Sequence, residues 1–360
     1  MKKYSYLFIL LFAFGCSDYN KVLKSSDPEY KYQKAVEYYN EGDCYKSLPL
    51  LEELIGITRG TTRSEDVYYY YANVHFCLKQ YYLSNYYYKN FVKTFPNSVH
   101  AEESLFLAAL SSYRNSPNYS KDQEETKGAI NDFQLFIDRY PQSDLKDSTN
   151  VMIEQLRDKL ELKHYEIAAL YNKTEQYQAA VIALDKFIKQ FPTSIRRERA
   201  MYLIVDSRFK YAKNSITSKQ RERYELSKID CQNYINNYPN GVFLEKVNNA
   251  IKNIDKDVES SYFNEAENDF KSGNYGTAYE KLKTYINRYQ SGRFREKAMY
   301  LAVKSSFLYA KSLPTKKKRQ SFENCIESYL NFADTFSSSK HLAKAEKFYL
   351  ESKNKLQKIS

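Results

Sequence analysis

Nine side chains of the kinds that most often do chemistry are scattered through this 360-residue chain: five cysteines and four histidines. No two cysteines share a CxxC spacing, and His75, His100, His164 and His341 each lack a second histidine four residues on. A zinc or redox site needs such neighbours. Three acidic doublets, Glu52-Glu53, Glu102-Glu103 and Glu124-Glu125, could suggest paired acid and base. Adjacent residues on a helix diverge by ~100°, so the two carboxylates of each doublet point apart. With only nine glycines the chain holds no glycine-rich phosphate loop and no GxSxG elbow. We expect no catalysis, no metal, no cofactor and no small-molecule substrate. Cys44, Cys77, Cys231 and Cys325 read as isolated buried thiols, with Cys44–Cys77 the one pair worth testing as a bridge.

The fifth cysteine sits differently. Lys2-Lys3 precedes an apolar run at 7–14 (LFILLFAF), too short for the ~20 residues that span a bilayer. It suits a secretory signal over residues 1–15. The run ends at Ala13-Phe14-Gly15-Cys16, which resembles the bacterial lipobox. The resemblance implies acylation of Cys16, with 16–28 as a polar tether. Asp18 follows Ser17 and not the cysteine, so no signal for retention in the inner membrane is seen, and the lipobox resemblance then implies the outer membrane. The net charge is +11, and loss of Lys2 and Lys3 leaves +9. That favours an acidic partner or an anionic surface without naming one. The densest charge run, Lys316-Lys317-Lys318-Arg319, reads as a solvated start of a helix. Nucleic acid is not expected for an exported chain.

The elements that must position everything else are helices. Gly and Pro number only 9 and 8, too few for the turns of an all-β fold. Four segments share one spacing: Ala35…Cys44…Ser47, Ala72…Tyr81…Ser84, Ala168…Tyr177…Ala180 and Ala266…Tyr275…Ala278. Large residues follow seven and ten beyond the turn position, as at Leu51 and Leu54 or Leu282 and Tyr285. Small residues that let two antiparallel helices approach, with large ones a turn away, are the tetratricopeptide (TPR) pattern. A closing mark recurs at Phe95-Pro96, Tyr140-Pro141, Phe191-Pro192 and Tyr238-Pro239, and decayed at Tyr289-Gln290 and Phe336-Ser337. Successive marks stand 45, 51, 47, 51 and 47 residues apart, so the unit is a double hairpin of about 98 residues.

We therefore expect an all-α, TPR-like helical-repeat solenoid, a superhelix of about seven hairpins plus a closing helix near 342–358. Its parts would be N-terminal repeats at 29–163, a second double repeat at 164–261 and a third at 262–360. Longer polar connections fall at 118–125, 214–223 and 313–320, with Ser120, Ser218 and Thr315 as candidate helix N-caps. Tyr is abundant at 37, with runs at 68–71, 81–82 and 86–88. Four successive residues cover a whole helix circumference, so some must pack inside and some must face out. On the first helices of the hairpins, Tyr32, Tyr39, Tyr69 and Asn73 lie one step from the close-packed alanines. They are the candidate partner-binding residues.

A Cys-anchored, Tyr-rich array with the aromatic-Pro-x-Ser closure resembles the BamD-like family of outer membrane assembly lipoproteins, in a Bacteroidetes form. The resemblance rests on Cys16, on 27–54 (DPEYKYQKAVEYYNEGDCYKSLPLLEEL), on Phe95–Ser98 and on 165–194 (YEIAALYNKTEQYQAAVIALDKFIKQFPTS). It covers 16–255 and leaves 262–358 as an added copy. It implies an outer-membrane scaffold on the periplasmic face that binds the POTRA domains of a BamA-type barrel insertase, other lipoproteins of the machinery, and unfolded outer membrane proteins. Two other readings compete. One is a TPR lipoprotein adaptor for secretion, gliding or envelope division. The other is a glycan-binding surface lipoprotein, which the absence of Trp disfavours.

Overall fold

The computed structural model describes residues 18–358. Among them the regular structure is helical, without strands. The chain divides into two compact units, with the boundary between Glu166 and Ile167. The first unit holds α1 (described over residues 18–23), α2 (Pro28–Asn40), α3 (Cys44–Ile57), α4 (Ser64–Cys77), α5 (Tyr81–Thr94), α6 (Ala101–Asn115), α7 (Glu124–Arg139) and the start of α8 (Lys146–Lys173). The second holds the end of α8, then α9 (Tyr177–Gln190), α10 (Arg197–Lys213), α11 (Thr217–Asn237), α12 (Leu244–Lys271) and α13 (Tyr275–Arg288). It closes with α14 (Arg295–Ser312), a 3₁₀ turn (Thr315–Lys317), α15 (Lys318–Thr335) and α16 (Leu342–Gln357). The expected seven hairpins and closing helix are present. The repeat limits at 163/164 and 261/262 fall inside α8 and α12, each 28 residues long.

The hairpin turns follow from backbone chemistry. Asp27 accepts the backbone N–H groups of Glu29 and Tyr30 at 2.9 and 3.2 Å and so starts α2, with Pro28 at its first position. Four tight turns have a residue at positive φ in the same place: Gly42 (81°), Lys79 (58°), Glu175 (61°) and Gly273 (80°). The next residue then donates its N–H five residues back, as Asp43 to Tyr38, Gln80 to His75, Gln176 to Tyr171 and Asn274 to Asp269. This is the left-handed helix stop, which glycine adopts freely and other residues adopt at a cost of ~1–2 kcal/mol. Beyond the turn the small residues do as expected. Ala35 and Ser47 are fully buried, and the Ser47 hydroxyl donates to the Ala35 carbonyl at 2.7 Å across the hairpin.

The closures use a second device in two interchangeable forms. Ser98, Ser143, Ser194 and Ser339 each accept, on Oγ, the backbone N–H two residues on, at 2.9–3.1 Å. Seven residues before each stands a phenylalanine: Phe91, Phe136, Phe187 and Phe332. At the other two closures the serine is Gly241 or Gly292, and the residue seven before is Tyr234 or Tyr285. The tyrosine hydroxyl takes over the same task. Tyr234 accepts the Phe243 N–H and Tyr285 the Phe294 N–H, each at 3.1 Å. Each hydroxyl also donates to a first-helix carboxylate, Tyr234 to Glu198 at 2.6 Å and Tyr285 to Glu259 at 2.7 Å. A Cβ on Gly241 or Gly292 would stand 2.5 or 2.6 Å from the hydroxyl oxygen. Glycine is there because the phenol occupies the space of the missing serine.

Four expectations need correction. Cys44 and Cys77 are joined in a disulfide, not isolated; Cys231 and Cys325 are free and buried. None of the three proposed N-caps caps a helix: α7, α11 and α15 begin after Gln123, Ile216 and Lys317, with no side-chain cap bond. Glu124, Thr217 and Lys318 already lie in helix, so all three polar connections are shorter than their composition suggests. Residues 18–23, inside the expected tether, are helical. Val22 is 2% exposed within the α2–α3–α4 core, and Tyr19 packs edge-on to Tyr38 at 5.7 Å. Apolar side chains three apart give this short helix a face to bury.

Candidate functional site

The first helices of the first two hairpins, α2 and α4, bring an aromatic group together, as the four-residue tyrosine run requires. Tyr70 stands at its centre. The rings of Tyr32, Tyr39 and Tyr69 meet it edge-on at 6.1, 5.5 and 5.6 Å. Such pairs contribute ~0.5–1.5 kcal/mol each beyond the area they bury. Tyr32, Tyr39 and Tyr70 are half-buried, so their outer edges meet solvent. Tyr69 lies deeper. Its ring stacks on His100 at 4.1 Å and its hydroxyl donates to Glu103 Oε2 at 2.7 Å. Asn73 is buried beneath, its Oδ1 taken by the Tyr88 hydroxyl at 2.5 Å. The Arg63 guanidinium covers the Tyr32 ring at 4.6 Å and pairs with Asp66 and Glu29 at 2.8 and 3.2 Å.

The electrostatics keep Tyr32, Tyr39 and Tyr69 protonated. Burial, aided by Asp66, pushes Tyr32 up to about 12 against the opposing pull of Arg63. Burial raises Tyr69 further, helped by its bond to Glu103, and raises Tyr39. The patch therefore offers neutral aromatic edges, hydroxyl donors and the exposed carboxylate of Glu103. It can hold an extended segment by contact and hydrogen bonding, and no nucleophile with an adjacent base is poised in it. Of the four residues singled out from sequence, Tyr32, Tyr39 and Tyr69 converge, and Asn73 is spent on the core. Sequence reasoning missed Tyr70, which its own tyrosine run contained, Glu103, which it weighed only as half of an acidic doublet, and Arg63, which carried no signal. Cys16 lies outside the described residues.

The second unit has a separate cavity of ≈160 Å³ between α13, α14 and α15, lined by Tyr279, Lys283, Ile286, Met299, Glu327 and Asn331. A wider cleft of ≈680 Å³ lies between α11, α12 and α13. In it the Tyr262 ring is flanked by the guanidinium groups of Arg221 and Arg288 at 3.9 and 4.8 Å. Arg221 is held by Glu265 at 2.6 Å. The Lys316–Arg319 run is largely exposed at the 3₁₀ turn and the start of α15. Among the described residues no group of three His, Cys, Asp or Glu could hold a metal ion, and no helix is long and apolar enough to cross a membrane.

Comparison with known proteins places a family on these helices. The YfiO family, described as outer membrane lipoprotein, matches residues 24–183 and again 173–259. The outer membrane protein assembly factor BamD of Caulobacter vibrioides is 22% identical over 117 residues, which cover 32% of this chain and 38% of that protein. The chain thus spans well under half the length of that curated relative. Among solved structures, a tetratricopeptide repeat protein from Parabacteroides merdae is 12% identical, with 91% of this chain and 100% of that one covered and a TM-score of 0.27. The apo form of RapI is 14% identical, with 92% and 99% covered and a TM-score of 0.26.

Proposed function

The chain belongs to the YfiO family of outer membrane lipoproteins, and from that premise we propose that it is a lipid-anchored scaffold of the β-barrel protein assembly machinery. Cys16 carries the acyl anchor and holds the repeats at the periplasmic face of the outer membrane. The repeats bind a BamA-type insertase through its POTRA domains, stand beside the other lipoproteins of the machinery, and engage unfolded barrel proteins. Two acyl chains suffice for such anchoring, because each buried CH₂ contributes ~0.8 kcal/mol. The work is binding without turnover.

The observation that carries this reading is a coincidence of place. The family match begins at residue 24 and runs through the aromatic patch, so Tyr32, Tyr39, Tyr69 and Asn73 all fall inside it. Protonated phenols around a carboxylate suit a protein segment rich in aromatic and polar side chains, since tyrosine offers contact area at low entropy cost. The test is photo-crosslinking in intact cells from a benzophenone amino acid at Tyr32 or Tyr39. The expected adducts are a BamA-type barrel protein or an unfolded barrel chain. Adducts confined to secretion, gliding or division machinery would move the chain to the competing adaptor reading.

A further inference from the structure

The chain enters the first unit at a defined place. Tyr19, in α1, donates its hydroxyl to the Lys46 carbonyl at 3.3 Å and packs against Tyr38. Both partners flank the turn that joins α2 to α3. Asp27, the cap of α2, lies at the other end of that helix. The start of α1 therefore sits at the hairpin-turn edge. Only Ser17 separates Cys16 from Asp18, and two residue steps span at most ~7 Å whatever their conformation. An acyl group on Cys16 would put lipid within that reach, plus the thioether-linked glycerol, of this edge.

The same edge carries two of the most exposed aromatic side chains. Tyr45, in the first turn of α3, is 79% exposed, and Tyr82, in the first turn of α5, is 78% exposed. The disulfide from Cys44 to Cys77 holds the two turns side by side, with Cα atoms 6.4 Å apart. Single exposed aromatics need no explanation by themselves. Two of them flanking a covalent staple, where the lipid-bearing end of the chain arrives, do. The charges at this edge nearly cancel. Asp18 pairs with Lys21 and Asp43 with Lys46, while exposed Glu41 and Lys79 oppose each other in sign. A near-neutral rim with tyrosines suits the interface of a zwitterionic bilayer, where amphipathic rings settle at headgroup depth.

We infer that the hairpin-turn edge of the first unit, with Tyr45 and Tyr82 as its contact residues, lies against the membrane surface. The inference rests on the proposed acylation of Cys16. The first unit would then stand on the bilayer with its turns down, not hang from a slack tether.

The chain has no tryptophan, so single substitutions make unique fluorophores. Full-length lipidated Tyr45→Trp and Tyr82→Trp proteins are reconstituted into zwitterionic phosphatidylethanolamine–phosphatidylcholine vesicles with brominated acyl chains. Val99→Trp is the control. Val99 is 89% exposed in the closure after α5, one helix length (~20 Å) from the turn. Bromolipid should quench emission from the Tyr45→Trp and Tyr82→Trp proteins, whose maxima should lie to the blue of that of Val99→Trp because the interface is less polar than water, and should leave Val99→Trp unquenched. Equal quenching at all three sites, or none at the first two, in protein that floats with the vesicles overturns the inference and spares the anchor. Emission that responds only when another envelope protein is added overturns it in favour of a protein interface. Protein that does not float, with Cys16 unmodified by mass spectrometry, removes the anchor reading and this inference together.

Discussion

Replacing Tyr285 by Phe should do harm that a second, individually harmful change repairs. The Tyr285 hydroxyl donates to Glu259, a side chain in a residue 8% exposed, and accepts the Phe294 N–H. Its loss leaves a part-buried N–H unpaired and removes one donor from a carboxylate. Burial pushes the Glu259 carboxyl up, but the hydrogen bonds from Tyr285 and Arg293 outweigh it and hold the group below its ordinary value. Arg293 still serves Glu259 through its backbone N–H at 2.6 Å, so we take one lost bond and one orphaned donor, about 2–3 kcal/mol. Gly292→Ser alone drives a Cβ to 2.6 Å from the phenol and costs ~1–3 kcal/mol by overpacking. The double substitution recreates the arrangement at Phe332 and Ser339. There the serine accepts the His341 N–H and donates to Glu296 at 2.6 Å. Repeat arrays unfold piecemeal, so the assay is local: amide hydrogen exchange of residues 285–298. Tyr285→Phe should speed exchange roughly 30- to 150-fold, and the double variant should recover most of it, which makes the coupling between the two changes about 2–5 kcal/mol. Effects that simply add, within ~0.5 kcal/mol, would refute the idea that the two residues exchange one task.

Two further outcomes follow from the first unit. Cys44→Ser with Cys77→Ser should lower its stability by about 3–4 kcal/mol, the loop-closure entropy for a bridge across a separation of 33 residues; reductant should produce the same loss in the native protein and none in the variant, read by urea midpoint. His75 is buried between Tyr71 and Tyr87, with Nδ1 against Gln80, and burial lowers its pKa from 6.5 despite the opposing field of Glu52. The unfolded chain therefore binds the proton more readily. The resulting stability is complete above the unfolded value and is lost as pH falls through it toward the lower folded value. Between pH of about 7.5 and 5.5 the native protein should weaken while His75→Gln stays flatter by thermal melts; parallel pH profiles for the two would count against this.

What the sequence disclosed was local. Ala35 and Ser47 are twelve residues apart, so their contact is written in one hairpin's spacing. The closures were equally plain, because an aromatic followed by Pro stops a helix within its own neighbourhood. The sequence named Cys44–Cys77 as the one pair to test but favoured isolated thiols, since the two meet only after neighbouring hairpins choose a register. Ser120, Ser218 and Thr315 misled because a capping residue type does not fix where a helix starts when tertiary contacts decide its first turn. Asn73 looked like a groove residue by helix wheel, and the Tyr88 hydroxyl from the next helix claimed it. The exchange of Phe and Ser for Tyr and Gly was visible throughout at a constant step of seven. It had no meaning until the hydroxyls were seen to satisfy the same backbone donor.

The cystine between the first two hairpins also decides what happens when the chain is pulled. Tension applied at the N-terminus while the repeats are gripped elsewhere passes through the sulfur–sulfur bond and bypasses the polypeptide between its ends. The 33-residue separation corresponds to roughly 110 Å of contour that cannot be paid out. Helices α3 and α4 therefore cannot be drawn out as a thread, whereas α1 and α2 precede Cys44 and lie on the load path ahead of the bridge; a unit pulled from its N-terminus yields first at α1 and α2 and then meets one solid link.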